Sequence, residues 1–202
     1  MNFWINGVKH SSEWYDLENN KPYPEKEIRD HVKLFGEILS QYKLDSVYGH
    51  SFPESFVPCR YSFYWNPTGD YSLGKVLNDF GIRYANTSFS WIKELSPPIK
   101  EGGGIDHGVL VIDRTYLGNK WYELASLPSD NFKKSKNGII ETHFPNWLAS
   151  DYFLQDELNQ KWIDYYRKIQ QTREFYFARN TEQFYSQWYY RKYTFIKRNI
   201  FL

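Results

Sequence analysis

The chain has 202 residues, with 25 Lys and Arg against 24 Asp and Glu and a formal net charge of +1. That length fits one domain or at most two small ones, with room for a proper core, and the balanced charge argues against a dedicated nucleic-acid binder. A single cysteine, Cys59, excludes an internal disulfide framework and a cysteine-only zinc site.

Residues 3–8 mix apolar side chains with Asn6 and Gly7 and predict a short strand that runs out at residues 9–13. Asn19, Asn20, Lys21, Pro22 and Pro24 predict a loop. Residues 25–42 form the clearest helix: Ile28, Val32, Phe35, Ile38 or Leu39, and Tyr42 recur at helical spacing. Pro24 stands at its start, and Glu25 and Glu27 suit the positive N-terminal end. A short strand or bend over 46–50 and a strand near 55–57 follow, then a turn over 66–70. Residues 71–80 predict a helix with Leu73, Val76, Leu77 and Phe80 inward and Gly81 just past its end. A strand over 82–87 precedes a loop marked by Pro97-Pro98 and by the glycines at 102–104. Residues 108–113 are the best strand, a continuous apolar run ending in an acid, as in buried parallel strands. A basic polar loop over 131–137 leads to a strand over 138–142. Residues 154–171 predict a helix with Leu158, Trp162, Tyr165 and Ile169 on one face. A strand-like stretch over 174–178 and a last helix over 181–202 close the chain. This alternation predicts a single α/β domain over 1–202, with a mainly parallel sheet and helices outside it.

In parallel α/β architectures, sites gather at the C-terminal ends of strands. That rule selects His10 with Glu13, His50, Arg60, Asp113, and His143 with Asn146. Histidine is the commonest metal ligand and suits proton transfer near neutral pH. His10 reads as a ligand or as a backbone-bonded loop residue, and His50 as functional or as a turn residue. His143 is the best catalytic candidate; the alternative is a strand-end histidine packed on Trp147. His31 reads as structural and His107 as a loop residue. The glycines at 102–104 lack the Gly-Lys-Ser/Thr ending of a phosphate loop, and no Gly-x-Ser-x-Gly elbow is present. Cys59 reads as a packed thiol before it reads as a nucleophile.

Aromatics are the compositional excess: 8 Trp, 18 Tyr and 15 Phe make up 20% of the chain, beside four Ala. Such a load excludes disorder. Trp14, Tyr15, Tyr64, Trp65, Trp121 and Trp147 fall in predicted loops near the strand ends, where flat sugar rings could stack on them. The alternative is core packing, which is expected for most aromatics, with a few binding residues among them. No run approaches the roughly 18 apolar residues of a membrane span. The N-terminus lacks the charged start and apolar core of a signal peptide, so a cytoplasmic chain is expected.

With those residues in place, the chain resembles the polysaccharide deacetylase (NodB-like) superfamily of carbohydrate esterases over residues 3–170. His10-Ser11-Ser12-Glu13-Trp14 and the helix after it resemble the family's histidine motif. Phe56-Val57-Pro58-Cys59-Arg60-Tyr61, the helix over 73–80 and Gly81-Ile82-Arg83-Tyr84 resemble its Arg-Pro-Pro-Tyr region and the unit that follows. Residues 109–113 are similar to a later barrel strand, and 140–146 to the last one, which carries the catalytic-acid histidine. The resemblance implies a deformed (β/α) barrel of seven strand–helix units and carbohydrate as partner. It further implies a divalent metal such as zinc, held by His10 together with His50 or Glu13, that activates water for attack on an acetyl carbonyl. Glu13 would take a proton, His143 would protonate the leaving group, and Arg60, Trp65, Asn146 and Trp147 would contact substrate. The sequence departs from the family at its opening Asp-Asp pair, which is not found, and at the second motif histidine, where Trp14 stands. Zinc binding is therefore expected to be weak, and a non-catalytic carbohydrate-binding or scaffold protein is the alternative. An open sheet edge would favour a homodimer. The segment 187–202, with Arg191, Lys192, Lys197 and Arg198 and no acids, reads either as a helix packed on the domain or as a dock for an anionic membrane surface.

Overall fold

The computed structural model describes residues 3–5, 8–10, 14–16, 19, 21–47, 50–51, 54–58, 63–64, 71–89, 102–135, 137–172 and 177–194, with the backbone alone at 3–5, 8–10, 47 and 50–51. β1 (Phe3–Ile5) and β2 (Val8–His10) pair antiparallel, Phe3 opposite His10 and Ile5 opposite Val8. The single strand expected over 3–8 is therefore a hairpin. His10 is thus a strand residue and does not follow one. The expected loop after it contains a second small pair, β3 (Tyr15–Asp16) with β4 (Lys21–Pro22). Asp16 turns the chain by accepting the Asn19 backbone N–H at 3.1 Å. A third pair, β5 (Ser46–Val47) with β6 (His50–Ser51), replaces the expected single strand or bend.

Helix α1 (Glu25–Gln41) matches its expectation and carries Glu25 and Glu27 in its first turn. Ile28, Val32 and Leu39 are buried, whereas Phe35, Ile38 and Tyr42 of the same stripe are exposed. The first turns are held to α2 (Leu73–Asp79) by Arg29, which pairs with both Glu25 and Asp79. Ser72 caps α2 by accepting the Lys75 N–H, and Gly81, at φ +82°, ends it in the left-handed conformation that glycine adopts without strain.

The main sheet runs in the order β7 (Ser55–Phe56), β8 (Tyr84–Thr87), β10 (Val109–Asp113), β9 (Gly103–Asp106). β7, β8 and β10 are parallel, and β9 is antiparallel to β10. Gly103 and Gly104, expected in a loop, are part of β9. Gly103 sits at φ +139°, where a Cβ would lie 2.4 Å from the Val111 carbonyl oxygen and 3.1 Å from the Trp188 ring. Glycine is therefore what the close packing requires there, and its low strand propensity hid the strand.

Alternation along β10 divides the core. Val109 and Val111 face Trp14, Ile28, Val32, Phe63 and the apolar side of α2. Leu110 and Ile112 face α4 (Thr181–Tyr193) through Tyr185 and Trp188, and Tyr185 stacks on Tyr84 at 4.4 Å. α4 thus packs on the sheet through Tyr185 and Trp188, while Tyr189, Tyr190 and Tyr193 are exposed; 195–202 lie outside the described residues. A third cluster forms under α3 (Gln155–Gln171), where Leu158, Trp162, Tyr165 and Ile169 are all buried as their spacing predicts, against Phe132, Ile140 and Trp147.

The strand expected over 138–142 contracts to one parallel bridge, Thr115 with Ile140, at the end of β10. The loop expected over 131–137 contains a 3-10 turn, Phe132–Lys134, which buries Phe132. The expected strand over 174–178 lies mostly outside the described residues. The fold is a mixed α/β arrangement with helices around a small mixed sheet, and no closed barrel forms among the described residues. None of their helices is long and apolar enough to cross a membrane.

Candidate functional site

Where β10 ends, the chain continues into Arg114 and Thr115. The Thr115 N–H donates to the Ile139 carbonyl at 2.8 Å, and the Glu141 N–H donates to the Thr115 carbonyl at 3.0 Å. This short parallel contact lays residues 139–141 beside the sheet end. In an extended segment side chains alternate, so Glu141 and His143 fall on one face. His143 Nε2 lies 2.7 Å from Glu141 Oε1, and Arg114 Nε lies 3.3 Å from Glu141 Oε2. The Glu141 carboxylate is 2% exposed, Arg114 10% and His143 34%. The result is a chain of three groups, guanidinium–carboxylate–imidazole, running from the interior to the surface. A buried carboxylate that binds one ring nitrogen fixes the orientation and tautomer of the ring. Arg114 balances its charge, without which burial would be costly.

Asn146, fully buried, holds this chain in place. Its Oδ1 accepts from the His143 backbone N–H at 2.9 Å and from Asn119 Nδ2 at 3.0 Å. Its Nδ2 donates to the carbonyls of Lys120 at 2.7 Å and Glu123 at 2.9 Å. Asn119 Nδ2 also donates to the Glu141 carbonyl at 2.9 Å. The 3-10 turn Phe144–Trp147 carries Asn146 and Trp147 together, and the Asn146 carbonyl accepts from Trp162 Nε1 at 3.3 Å.

His143, Asn146 and Trp147 are therefore adjacent. Asn146 acts as a buried bracket, and Trp147 lies flat on Trp162 at 3.9 Å and 8°, so at least one of its faces is committed to packing. Trp14 and Tyr15 are buried, and Tyr64 packs against the first cluster. Of the loop aromatics proposed as sugar contacts, Trp121 remains exposed. His10 and His50 are placed by backbone alone, in β2 and β6. Glu13, Cys59, Arg60 and Trp65 lie outside the described residues. Asp113 fastens the sheet end by accepting the Phe89 N–H at 3.0 Å. Among the described residues, no three His, Cys, Asp or Glu side chains gather closely enough to hold a metal ion.

Sequence reasoning missed Arg114, Asn119 and Glu141. The signal for Glu141 was its spacing of two from His143 in an extended stretch. Arg114 follows a strand end directly and met the same rule that selected Asp113.

A second cluster joins Ser72, Asp106 and His107. His107 Nδ1 lies 2.5 Å from Asp106 Oδ1 and 2.9 Å from Ser72 Oγ, and Ser72 Oγ donates to Asp106 Oδ1 at 2.9 Å. Carboxylate and hydroxyl meet the same ring nitrogen, whereas a nucleophilic triad places them on opposite nitrogens. Ser72 is fully buried and caps α2, and Asp106 Oδ2 accepts the Gly74 N–H at 3.0 Å. Burial pushes the Asp106 carboxyl above the usual carboxylate range, against the pull of His107 and Ser72. This cluster fastens α2 to the β9–β10 turn, with His107 in that turn as expected.

Comparison of the chain with protein-family models, with curated proteins and with solved structures finds no match.

Proposed function

We propose that the chain is a carbohydrate-directed hydrolase of the deacetylase type, in which His143 transfers the proton. The observation that carries this reading is the Arg114–Glu141–His143 chain: a part-exposed imidazole oriented by a buried, charge-balanced carboxylate at a strand end. Glu141 holds Nε2, so Nδ1 is the ring nitrogen that Glu141 does not engage. In hydrolysis of an acetyl ester or amide, water oxygen bonds to the carbonyl carbon and the bond to the sugar oxygen or nitrogen breaks. His143 gives its proton to that leaving atom, and the proton lost by water goes to a carboxylate base. The resemblance assigns the base to Glu13 and a zinc site to His10 and His50. The proton transfer proposed for His143 does not depend on a metal. The same reading takes β7, β8 and β10 as successive parallel strands of the implied barrel, continuing through the bridge at Ile140.

A second reading, carbohydrate binding without turnover, is favoured by one observation, the exposed Trp121 and Tyr122. Acetate release from acetylated oligosaccharides separates the two. Under the first reading His143→Ala lowers kcat by roughly 100-fold or more, and Glu141→Gln also lowers kcat. Acetate release that is unchanged in His143→Ala refutes the first reading. Oligosaccharide binding without acetate release selects the second.

A further inference from the structure

All 24 acids of the chain lie in residues 1–182, beside 21 of its cations, whereas residues 183–202 hold Arg191, Lys192, Lys197 and Arg198 and no acid. Positive charge is thus gathered in the C-terminal segment, while the remainder of the sequence carries more acids than cations. α4 packs on the sheet through Tyr185 and Trp188, and Tyr189, Tyr190 and Tyr193 stay exposed, Tyr190 the most at 59%. At 3.6 residues per turn these three rings fall within an arc of about 100°, and Tyr185 and Trp188 lie outside it. Tyr189 and Tyr193, one turn apart, have their rings 4.7 Å apart. Arg191 and Lys192, both exposed, stand on the two flanks of that arc. On its flank Lys192 Nζ lies 5.5 Å over the Trp188 ring. Glu182, the acid of α4, is in the first turn, about 16 Å along the axis from Tyr193. The outward face of the last two turns is therefore aromatic, bordered by cations and free of acids of its own.

We infer that this face of α4 is a docking surface for an anionic membrane, an inference that does not depend on the carbohydrate reading above. Tyrosine joins an apolar ring to a polar hydroxyl, the combination enriched where membrane meets water. Arginine and lysine beside such rings lay their stems on apolar surface and keep their charges in the headgroup layer. An anionic leaflet raises the partition of a protein by roughly fivefold for each Lys or Arg held near it. Acids would be repelled by the same leaflet, and the sequence has none after Glu182. Beyond the helix the sequence continues with Phe195, Ile196, Ile200, Phe201 and Leu202 around Lys197 and Arg198. Aliphatic side chains gain from a lipid interface, whereas single-stranded nucleic acid rewards cations and stacking aromatics, so the composition favours lipid as the anionic partner. Binding is peripheral: the inner face of α4 is committed to Leu110 and Ile112, and only the outward rings and their flanking cations meet the lipid.

The test uses the full chain and sedimentation with phosphatidylcholine vesicles, with and without phosphatidylserine. Wild type is expected to partition onto the phosphatidylserine vesicles at least about tenfold more than onto the neutral ones, and added salt should release it. Arg191→Gln with Lys192→Gln should lower that partition about 25-fold, and Tyr190→Ser should lower it severalfold while the salt dependence persists. These variants leave residues 195–202 intact, so the losses belong to α4. The three side chains are exposed, and the melts should match wild type. Should loss of Lys192 from the Trp188 ring lower the melt of the double variant, Arg191→Gln alone takes its place, with an expected fivefold loss, roughly. Equal partition of wild type onto both kinds of vesicle, or onto neither, overturns the proposal. Binding to phosphatidylserine that is unchanged in all of these variants overturns it too. A mixed-sequence single-stranded oligonucleotide that binds more tightly than the vesicles and displaces them assigns the face to nucleic acid. Self-association that Tyr190→Ser abolishes, without vesicle binding, assigns it to a second copy of the chain. Each of these last two results also overturns the membrane reading.

Discussion

Removing the Glu141 carboxylate tests the most consequential contact in the structure. Glu141→Ala deletes a group that Arg114 Nε meets at 3.3 Å and His143 Nε2 meets at 2.7 Å. His143 is 34% exposed and can recover water contacts, so its share of the loss is small. Arg114, 10% exposed, cannot. Breaking a buried pair by removing one partner costs up to about 3–5 kcal/mol. For a chain of this size each kcal/mol lowers Tm by about 2–4 °C, so a fall of up to roughly 6–20 °C is expected. Urea titration should show the midpoint falling with the slope unchanged, since the same surface is exposed on unfolding. Glu141→Gln keeps the volume and some of the hydrogen bonding and should fall in between. The decisive control is Arg114→Met with Glu141→Leu. Replacing both charges by apolar groups of similar size is often neutral or stabilising, so the pair should recover most of the loss of the single variant. A loss under about 1 kcal/mol in Glu141→Ala would mean that Arg114 keeps good solvation without its partner, and the buried-chain account of the site would fail.

Three more outcomes follow from the packing. Gly103→Ala should cost about 2–5 kcal/mol, from a strained backbone at φ +139° and a Cβ only 2.4 Å from the Val111 oxygen; a melt equal to wild type would contradict that geometry. Burial pushes the hydroxyls of Tyr71, Tyr165 and Tyr185 up to about 12. Their folded values lie above the ordinary value of about 10, so the stability they contribute is full below pH 10 and is lost as pH rises toward 12. Urea midpoints at pH 9 and 11, read with tyrosinate absorbance, should show ionisation accompanying unfolding; full ionisation in a folded, undiminished protein would refute this burial. Asp106, also raised, contributes stability that is present below the ordinary carboxylate value of about 4 and is lost as pH rises through its folded value. Asp106→Asn should flatten that descent in urea midpoints taken across acidic pH, and an unchanged slope would count against it.

Legibility tracked periodicity and length. The 17-residue α3 shows its buried stripe in the sequence, because four apolar residues at helical spacing leave one packing solution. β10 was equally plain, whereas the strand-end rule selected His143 from a strand over 138–142 that contracts to one bridge. The two-residue strands β3 and β4 were not legible: so short a segment carries no period, and only its partner makes it a strand. β9 was hidden because glycine signals a loop, while the structure uses its missing side chain to admit the Val111 backbone and the Trp188 ring. Phe35 and Tyr42 show the opposite limit. Helical spacing puts them on the stripe of Ile28, yet periodicity says nothing about how far along the helix its neighbours extend.

Asn146 ties the α3 aromatic cluster to the candidate site. Its carbonyl accepts from Trp162, which stacks on Trp147 within the α3 cluster. Its side chain holds the Lys120–Glu123 turn and the His143 backbone. A side-chain amide offers two donors and two acceptor sites, and both donors and at least two acceptor sites are used here. Buried aromatics keep that amide dry, and a dry amide makes stronger hydrogen bonds than one exposed to water. The Trp147–Trp162 stack thus works behind the surface as the rigid backing of the turn that presents Trp121 and Tyr122. An Asn146→Asp substitution would keep the shape but remove both donors, freeing the 120–123 turn while the α3 cluster stays packed. The placement of the 120–123 turn and of the His143 backbone therefore depends on one residue.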